Sequence, residues 1–331
     1  LNIDNHSLSL LVGQSAQSIE RESLLVSGDY TEMGNNTIDE LANALNVDNI
    51  INEESYMSFF SKLNYVFDGK YLMTAIVRRD GSSKFGSNTR WGTFPSVSVG
   101  WNVSEEDFIP TDGAMSSLRL RAGWGQVGND RIDNYLSTVV VSSGFNYPFG
   151  NVHGVVSPGL GLGGIPNPDI QWETVTQYSV GVDAAFFDNR LNLTAEYYNK
   201  TQNDMLIPVP QSGVTGLARG MNPGEIVLNT GDLTNSGLEF SVNYSGEAGK
   251  ISYDVGANLS TLNNIVNDLP SPINRYSLNG DFVTRTEEGR SLGEFYGHVA
   301  DGLFQSAAEV SSHATQNAKT SPGDIRFKDI N

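Results

Sequence analysis

The chain has 331 residues, none of them Cys, and a formal net charge of −18. The absence of cysteine excludes disulfides, and the acidic balance argues against nucleic acid as a partner. No run of about 18 apolar residues occurs, which excludes a membrane-spanning helix. The mean hydropathy of −0.27 suits a soluble chain. It equally suits a barrel with a wet lumen, because only every second strand residue of such a barrel faces lipid.

The first strand is predicted near His6–Gln17, where Leu8, Leu10 and Val12 alternate with Ser7, Ser9 and Leu11, with a ragged continuation towards Val26. A long loop is expected from Gln17 to Glu54. Within it, Ile38, Leu41 and Leu45 have helical spacing, and Thr37 followed by Glu40 fits a capping box, so a short helix is expected there. The second strand runs from about Ser55 to Phe67, with Met57, Phe59, Leu63, Tyr65 and Phe67 on one face. Asp68-Gly69-Lys70 is a tight hairpin turn.

Tyr71–Arg79 and Phe94–Val103 form the third and fourth strands around a polar loop, Asp80–Arg90. In the fourth, Val97, Val99, Trp101 and Val103 alternate with Ser96, Ser98, Gly100 and Asn102. Period-two alternation puts the apolar set on one face and the small polar set on the other. The same contrast recurs at Leu118–Trp124, Tyr178–Phe186, Leu191–Tyr197, Leu238–Tyr244 and Ile251–Leu259, which gives about nine strands. From Asn267 onward the pattern weakens, and Phe295–Phe304 is the remaining strand-like run.

Connections alternate in length. Asp68–Lys70, Asp188–Asn189 and Gly246–Lys250 are short; Gln17–Glu54, Gln126–Asp169 and Asp204–Leu228 are long. Parity sends every short turn to one end of an up-and-down sheet and every long loop to the other, as in outer-membrane barrels. Aromatic residues crowd the short-turn end, where an interfacial girdle belongs: Tyr65, Phe67, Tyr71, Phe186, Phe187, Tyr244 and Tyr253. Lipid cannot satisfy open sheet edges, so a closed barrel is the physical solution in a membrane. Plugged transporters have roughly 22 strands. Measured against a barrel of that size, about nine strands are a partial, open wall with long loops on one side, the expected architecture if the chain belongs to such a barrel. Val99 and Val242 are expected to face lipid, and Ser98 and Asn243 the lumen.

Several motifs carry a family resemblance. They include Arg78-Arg79-Asp80-Gly81-Ser82-Ser83, Phe94-Pro95-Ser96-Val97-Ser98 with Gly100-Trp101, and Leu118-Arg119-Leu120-Arg121-Ala122-Gly123-Trp124-Gly125. Ile165-Pro166-Asn167-Pro168-Asp169-Ile170-Gln171-Trp172-Glu173 and Ala300-Asp301-Gly302-Leu303-Phe304 belong to the same set. In order and spacing they resemble the barrel of SusC/RagA-type TonB-dependent outer-membrane transporters, over nearly all the chain.

The resemblance implies that residues 1–331 are part of one transmembrane β-barrel domain in the outer membrane of a Gram-negative bacterium. It implies import of oligosaccharides or peptides, with a SusD-like surface lipoprotein as lid. Energy would come from TonB, through an N-terminal plug region absent from this sequence. Both ends of the chain read as cuts, and the last barrel strands are absent as well. The alternatives are a passive porin or structural outer-membrane barrel, and a soluble adhesin-like β-protein.

No catalytic constellation stands out, so the chain is not expected to be an enzyme, and no cofactor or metal is implied. His6, His153, His298 and His313 are scattered and fit no metal spacing. Gly159, Gly161 and Gly164 fit G-x-G-x-x-G but lack the strand before and helix after that a dinucleotide loop needs. Asp324, Asp329 and Asn331 have the spacing of an incipient cation loop, read here as solvated loop. Three residues are candidates for substrate contact. Trp172, near a loop end, can stack on a sugar ring, or else sit in the girdle facing headgroups. Arg79 and Asp80, beside Arg78, can line the lumen mouth, or else form ion pairs within the wall.

Overall fold

A computed structural model describes residues 2–28, 45–109, 114–143, 157, 159–212, 225–276 and 282–328. These fall into two compact units, Leu1–Asn263 and Asn264–Asn331. The short helix expected at Thr37–Leu45 lies, but for Leu45, outside the described residues, as do His153, Asp329 and Asn331; Leu45 itself opens a strand, Leu45–Phe67.

The first unit is built on one antiparallel sheet. Its long strands are β1 (His6–Gly28), β2 (Leu45–Phe67), β3 (Tyr71–Ser82), β4 (Trp91–Asn102) and β5 (Met115–Asn129). They continue with β6 (Glu173–Phe186), β7 (Leu191–Asn203), β8 (Asp232–Ala248) and β9 (Ile251–Ser260). Spatial order follows chain order, as an up-and-down sheet requires. These are the nine strands expected from alternation. Among the described residues the sheet is open: outside β1 only the two-residue strand Asn2–Ile3 pairs, β9 ends the order on the other side, and the two ends do not pair with each other.

The ladder register turns each strand's alternation into continuous stripes. One row runs Leu8–Tyr65–Met73–Val99–Ala122–Val180–Tyr197–Leu238. The adjacent row, on the other face, runs Ser9–Asn64–Thr74–Ser98–Gly123–Ser179–Tyr198–Gly237. Val242 lies between Leu193 and Ala257, and Asn243 between Asn192 and Gly256. Among the described residues, side chains of the apolar face stand open. Val99 is 50% exposed, Leu238 58% and Phe240 44%. A soluble sandwich would bury these side chains between two sheets, so this exposure rules that alternative out.

The short turns are held by positive-φ residues. Asp68 (φ 53°) and Gly69 (φ 65°) are the two central residues of the turn Phe67–Lys70 that joins β2 to β3, and Phe187, Asp188 and Asn189 lie in the β6–β7 turn. A two-residue turn with both central φ positive matches the right-handed twist of flanking strands. The β1–β2 hairpin departs from expectation. The ladder continues unbroken from His6↔Phe67 to Gly28↔Leu45, through most of the expected loop. A membrane-crossing strand needs about 9–11 residues, so these 23-residue strands extend well past the apolar band. The apolar alternation lapses there while the backbone ladder persists.

The second unit contains a three-strand piece, Ile273–Tyr276, Phe282–Thr286 and Glu294–Phe295, and a two-strand piece, Ala300–Leu303 with Ile325–Phe327. A one-and-a-half-turn helix spans Ala307–Ser312. Ser306 Oγ accepts from the Glu309 amide at 3.2 Å, and Glu309 Oε2 accepts from the Gln305 amide at 2.9 Å. These reciprocal bonds use up donors that the helix start would otherwise leave orphaned. Phe304, Val266 and Thr286 are buried in this unit, and the His313 ring stands edge-on to Phe304 at 5.3 Å.

Candidate functional site

Stacked aromatics mark two levels on the apolar face. At the short-turn end Phe67, Tyr71 and Trp101 stack side by side, with centroids 6.1 and 6.3 Å apart. His6 packs on Phe67 at 4.8 Å, and its Nδ1 lies 2.8 Å from the Tyr65 hydroxyl. At the other level Phe59 stacks on Trp91 at 6.1 Å, with the Arg79 guanidinium over the same indole at 5.5 Å. Counting both end residues, the stretch between the levels is nine residues on β2 (59 to 67) and eleven on β4 (91 to 101). That is the length of a strand crossing a bilayer.

The short-turn end is fastened by Glu106. Its Oε1 accepts from the Tyr71 hydroxyl at 2.7 Å and the Trp101 indole at 3.0 Å, and its Oε2 accepts from Lys70 at 3.3 Å. The Tyr71 bond first, then those of Trp101 and Lys70, hold the Glu106 carboxyl below the usual carboxylate range. The Glu106 bond also raises Lys70.

The polar face carries fixed charge. Arg121 pairs with Asp183 at 3.2 Å and also with Glu196, and Asp183 accepts from Thr194 at 3.1 Å. Further along β2–β4, towards the long loops, this face opens into a cavity of about 810 Å³. Tyr56, Arg78, Asp80, Phe94, Asp130 and Trp172 are among its walls. Arg78 Nε lies 2.7 Å from both Asp80 carboxylate oxygens, and Arg78 Nη2 donates to Ser58 at 3.0 Å. The pair therefore presents no net charge. Phe94 is 6% exposed. Its ring occupies the space that a Cβ at Gly92 or Gly128 would need.

Trp172 closes the cavity's loop side. It packs against Phe85 (5.1 Å) and edge-on to Phe94 (5.5 Å), and its indole N–H donates to the Arg90 carbonyl at 3.0 Å. Nearby, Lys84 reaches Glu54 at 3.1 Å, and Tyr56 donates to the same Glu54 oxygen at 3.1 Å. The Lys84 bond chiefly holds Glu54 below the usual range. Burial pulls Lys84 down, but its bonds to Glu54 and Tyr56 carry it above its ordinary value.

The long loops brace one another through residues 167–173. Thr89 Oγ1 donates to the Ile170 carbonyl at 2.6 Å. Gln171 and Asn229 exchange bonds at 2.9 and 2.8 Å, and Asn167 Nδ2 donates to the Val227 carbonyl at 2.8 Å. Asn229 ends a hairpin made of Leu206–Pro210 and Glu225–Asn229. The glycines of the G-x-G-x-x-G match fall at a different hairpin, Val141–Ser143 with Leu160–Leu162.

Of the three residues singled out from sequence, the cavity unites Asp80 and Trp172. Arg79 is not among its walls: strand alternation turns it to the apolar face, over Trp91. Arg78 takes the place beside Asp80, as the expected ion-pair alternative has it. Counting by twos from Tyr71 would have separated Arg79 from Arg78 and Asp80. Phe94 and Glu173 escaped sequence reasoning, because nothing local signals that an aromatic ring or a carboxylate will be buried at the lumen side.

An open antiparallel sheet with an uncovered apolar face, aromatic bands a membrane apart, short turns at one end and braced loops at the other is a wall of a transmembrane β-barrel. A family model described as "TonB dependent receptor-like, beta-barrel" matches residues 2–328, and the chain belongs to that family. It is 30% identical over 339 residues to TonB-dependent receptor P3 of Formosa agariphila, covering 98% of this chain and 32% of that protein. It is also 30% identical over 256 residues to TonB-dependent receptor SusC of Bacteroides thetaiotaomicron, covering 75% of this chain and 24% of that protein. Among solved structures, the RagAB peptide importer in its closed-closed state superposes with a TM-score of 0.74 at 29% identity, over 92% of this chain and 33% of that one. The chain thus spans about a quarter to a third of the length of these relatives. It is a SusC/RagA-type barrel segment.

Proposed function

We propose that the protein to which this segment belongs is an active importer of the outer membrane of a Gram-negative bacterium, and that it performs no covalent chemistry. Residues 1–331, both units included, are part of one barrel domain. The apolar face meets lipid, and the polar face lines the path of an oligosaccharide or peptide cargo. A SusD-like lipoprotein covers the loop end, and TonB supplies energy through a region outside this sequence. The observation that carries the reading is the cavity of about 810 Å³ on the polar face, beside the braced loops. Its volume is that of a small-ligand pocket. It combines aromatic surface from Trp172 with hydroxyls, amides and a charge-balanced Arg78–Asp80 pair.

A deletion strain complemented with the intact gene tests this. Growth on panels of oligosaccharides and peptides as sole nutrient identifies the cargo. Trp172→Ala should then raise the concentration for half-maximal growth by roughly 10-fold, the equivalent of losing one aromatic contact of about 1.4 kcal/mol. Arg79→Ala, on the lipid face, should leave it unchanged. Growth that never depends on the gene, or equal effects of the two substitutions, would overturn the proposal.

A further inference from the structure

Glu173 is 5% exposed, yet no lysine or arginine among the described residues lies within ion-pairing distance of it. Its partners are neutral donors from three separate elements. Asn129 Nδ2, on the last residue of β5, donates to Oε1 at 3.0 Å. Gln202 Nε2, near the end of β7, donates to the same oxygen. The Leu206 amide, which opens the 206–229 hairpin, donates to Oε2 at 3.3 Å. A buried carboxylate is costly unless its oxygens are satisfied. These donors satisfy it only if both strand ends and the hairpin are in place at once. Glu173 is the first residue of β6, and Trp172 precedes it directly.

We propose that Glu173 is a positioning residue for the cargo cavity: by gathering three chain segments onto one buried carboxylate, it fixes the peptide that sets the Trp172 indole against Phe85 and Phe94. This rests on the cavity being the cargo site. A glutamine at 173 has nearly the same volume but turns one acceptor into a donor, so that, whichever way its amide is turned, an NH2 faces at least one of the donors aimed at it by Asn129, Gln202 and Leu206. The barrel ladder runs through backbone bonds that this exchange does not touch. The expected damage is therefore local, confined to the orientation of Trp172.

The test uses the intact transporter in detergent, with fluorotryptophan incorporated and the Trp172 fluorine resonance assigned by its loss in Trp172→Phe. The wild type should give one sharp Trp172 line. Glu173→Gln should split or shift that line while the Trp101 line, in the girdle, and the heat-modifiable mobility of the folded barrel stay unchanged. An unaltered Trp172 line in folded Glu173→Gln overturns the inference. Should that variant fail to assemble, Asn129→Ala and Gln202→Leu each remove one donor and are held to the same outcome. The two readings fail separately. Growth indifferent to Trp172→Ala removes the cargo site whatever the spectrum shows, whereas an unmoved line alongside a Trp172→Ala growth defect removes only the role of Glu173.

Discussion

Val180 and Ser179 are neighbours on β6 that the ladder places on opposite faces. Val180 is 59% exposed in the row Val99–Ala122–Val180–Tyr197. Ser179 pairs with Gly123 and Tyr198 on the polar side. Phe186, at the short-turn end of the same strand, is six residues away. At about 3.3 Å per residue that is roughly 20 Å along the strand, or about 15 Å of depth after a tilt of about 40°. Val180 thus sits near the middle of an apolar band about 25 Å tall. Val180→Arg should cost about 2–4 kcal/mol, as arginine does at the midplane of such barrels. That is a factor of about 30 to 900 in the folding equilibrium. Ser179→Arg adds the same side chain on the wet face and should cost under about 1 kcal/mol, the range of ordinary surface changes with some crowding. Equilibrium refolding of the intact barrel into lipid vesicles across a urea series measures both. Equal costs, or a greater cost for Ser179→Arg, would refute the assignment of faces.

Epitope tags inserted at Gly161 and Gly249 should label oppositely on whole cells, the first accessible and the second not, because parity puts them at opposite ends of the wall; the reverse pattern would invert the orientation. Glu106 is held below its ordinary range by Tyr71, Trp101 and Lys70, so its stabilisation is fully present above the unfolded carboxylate value and is lost as pH falls through the lower folded value. Glu106→Gln should therefore be less stable than wild type at neutral pH and lose less on acidification, which unfolding of the intact barrel at pH 7 and below pH 4 would read as converging curves (roughly the carboxylate range). Arg78→Ala strands the Asp80 carboxylate and should cost about 1.5–3 kcal/mol, towards the low end because Arg78 is half-exposed. Arg79→Ala loses one cation–π contact with Trp91 and should cost about 0.5–1 kcal/mol in the same refolding assay.

The wall was legible in the sequence because lipid and lumen impose opposite requirements on successive residues. Val97, Val99 and Trp101 against Ser96, Ser98 and Gly100 state the fold almost residue by residue, and the register then only aligns what each strand already shows. Where that pressure ends, legibility ends. From Ser18 to Gly28 and Leu45 to Ser55 both faces of the hairpin lie beyond the apolar band, so no alternation is enforced. A continuous ladder there looks like loop, since hydrogen bonds between backbones leave no side-chain signature. Residues 167–173 are harder still, because their partners come from the β3–β4 connection (Thr89), the ends of β5 and β7 (Asn129 and Gln202) and the β7–β8 connection (Leu206, Val227 and Asn229).

The candidate site inherits this division. Asp80 and Trp172 are polar and aromatic residues at loop ends, the kind of position that sequence reasoning picks out, and the fold brings both to one cavity. Only its charge singles out Arg79, and a single step along β3 decides its role. On the lumen face a guanidinium finds a carboxylate, as Arg78 does with Asp80. On the lipid face it needs an aromatic ring near the headgroups, as Arg79 finds in Trp91, where a long apolar stem and a charged tip suit the interface. Charge therefore says little about function in a barrel wall until the parity of the strand is known. Burial says more: Glu173 looks like any acidic residue in sequence, and only its three donors from distant segments mark it as the point on which the loop end is hung.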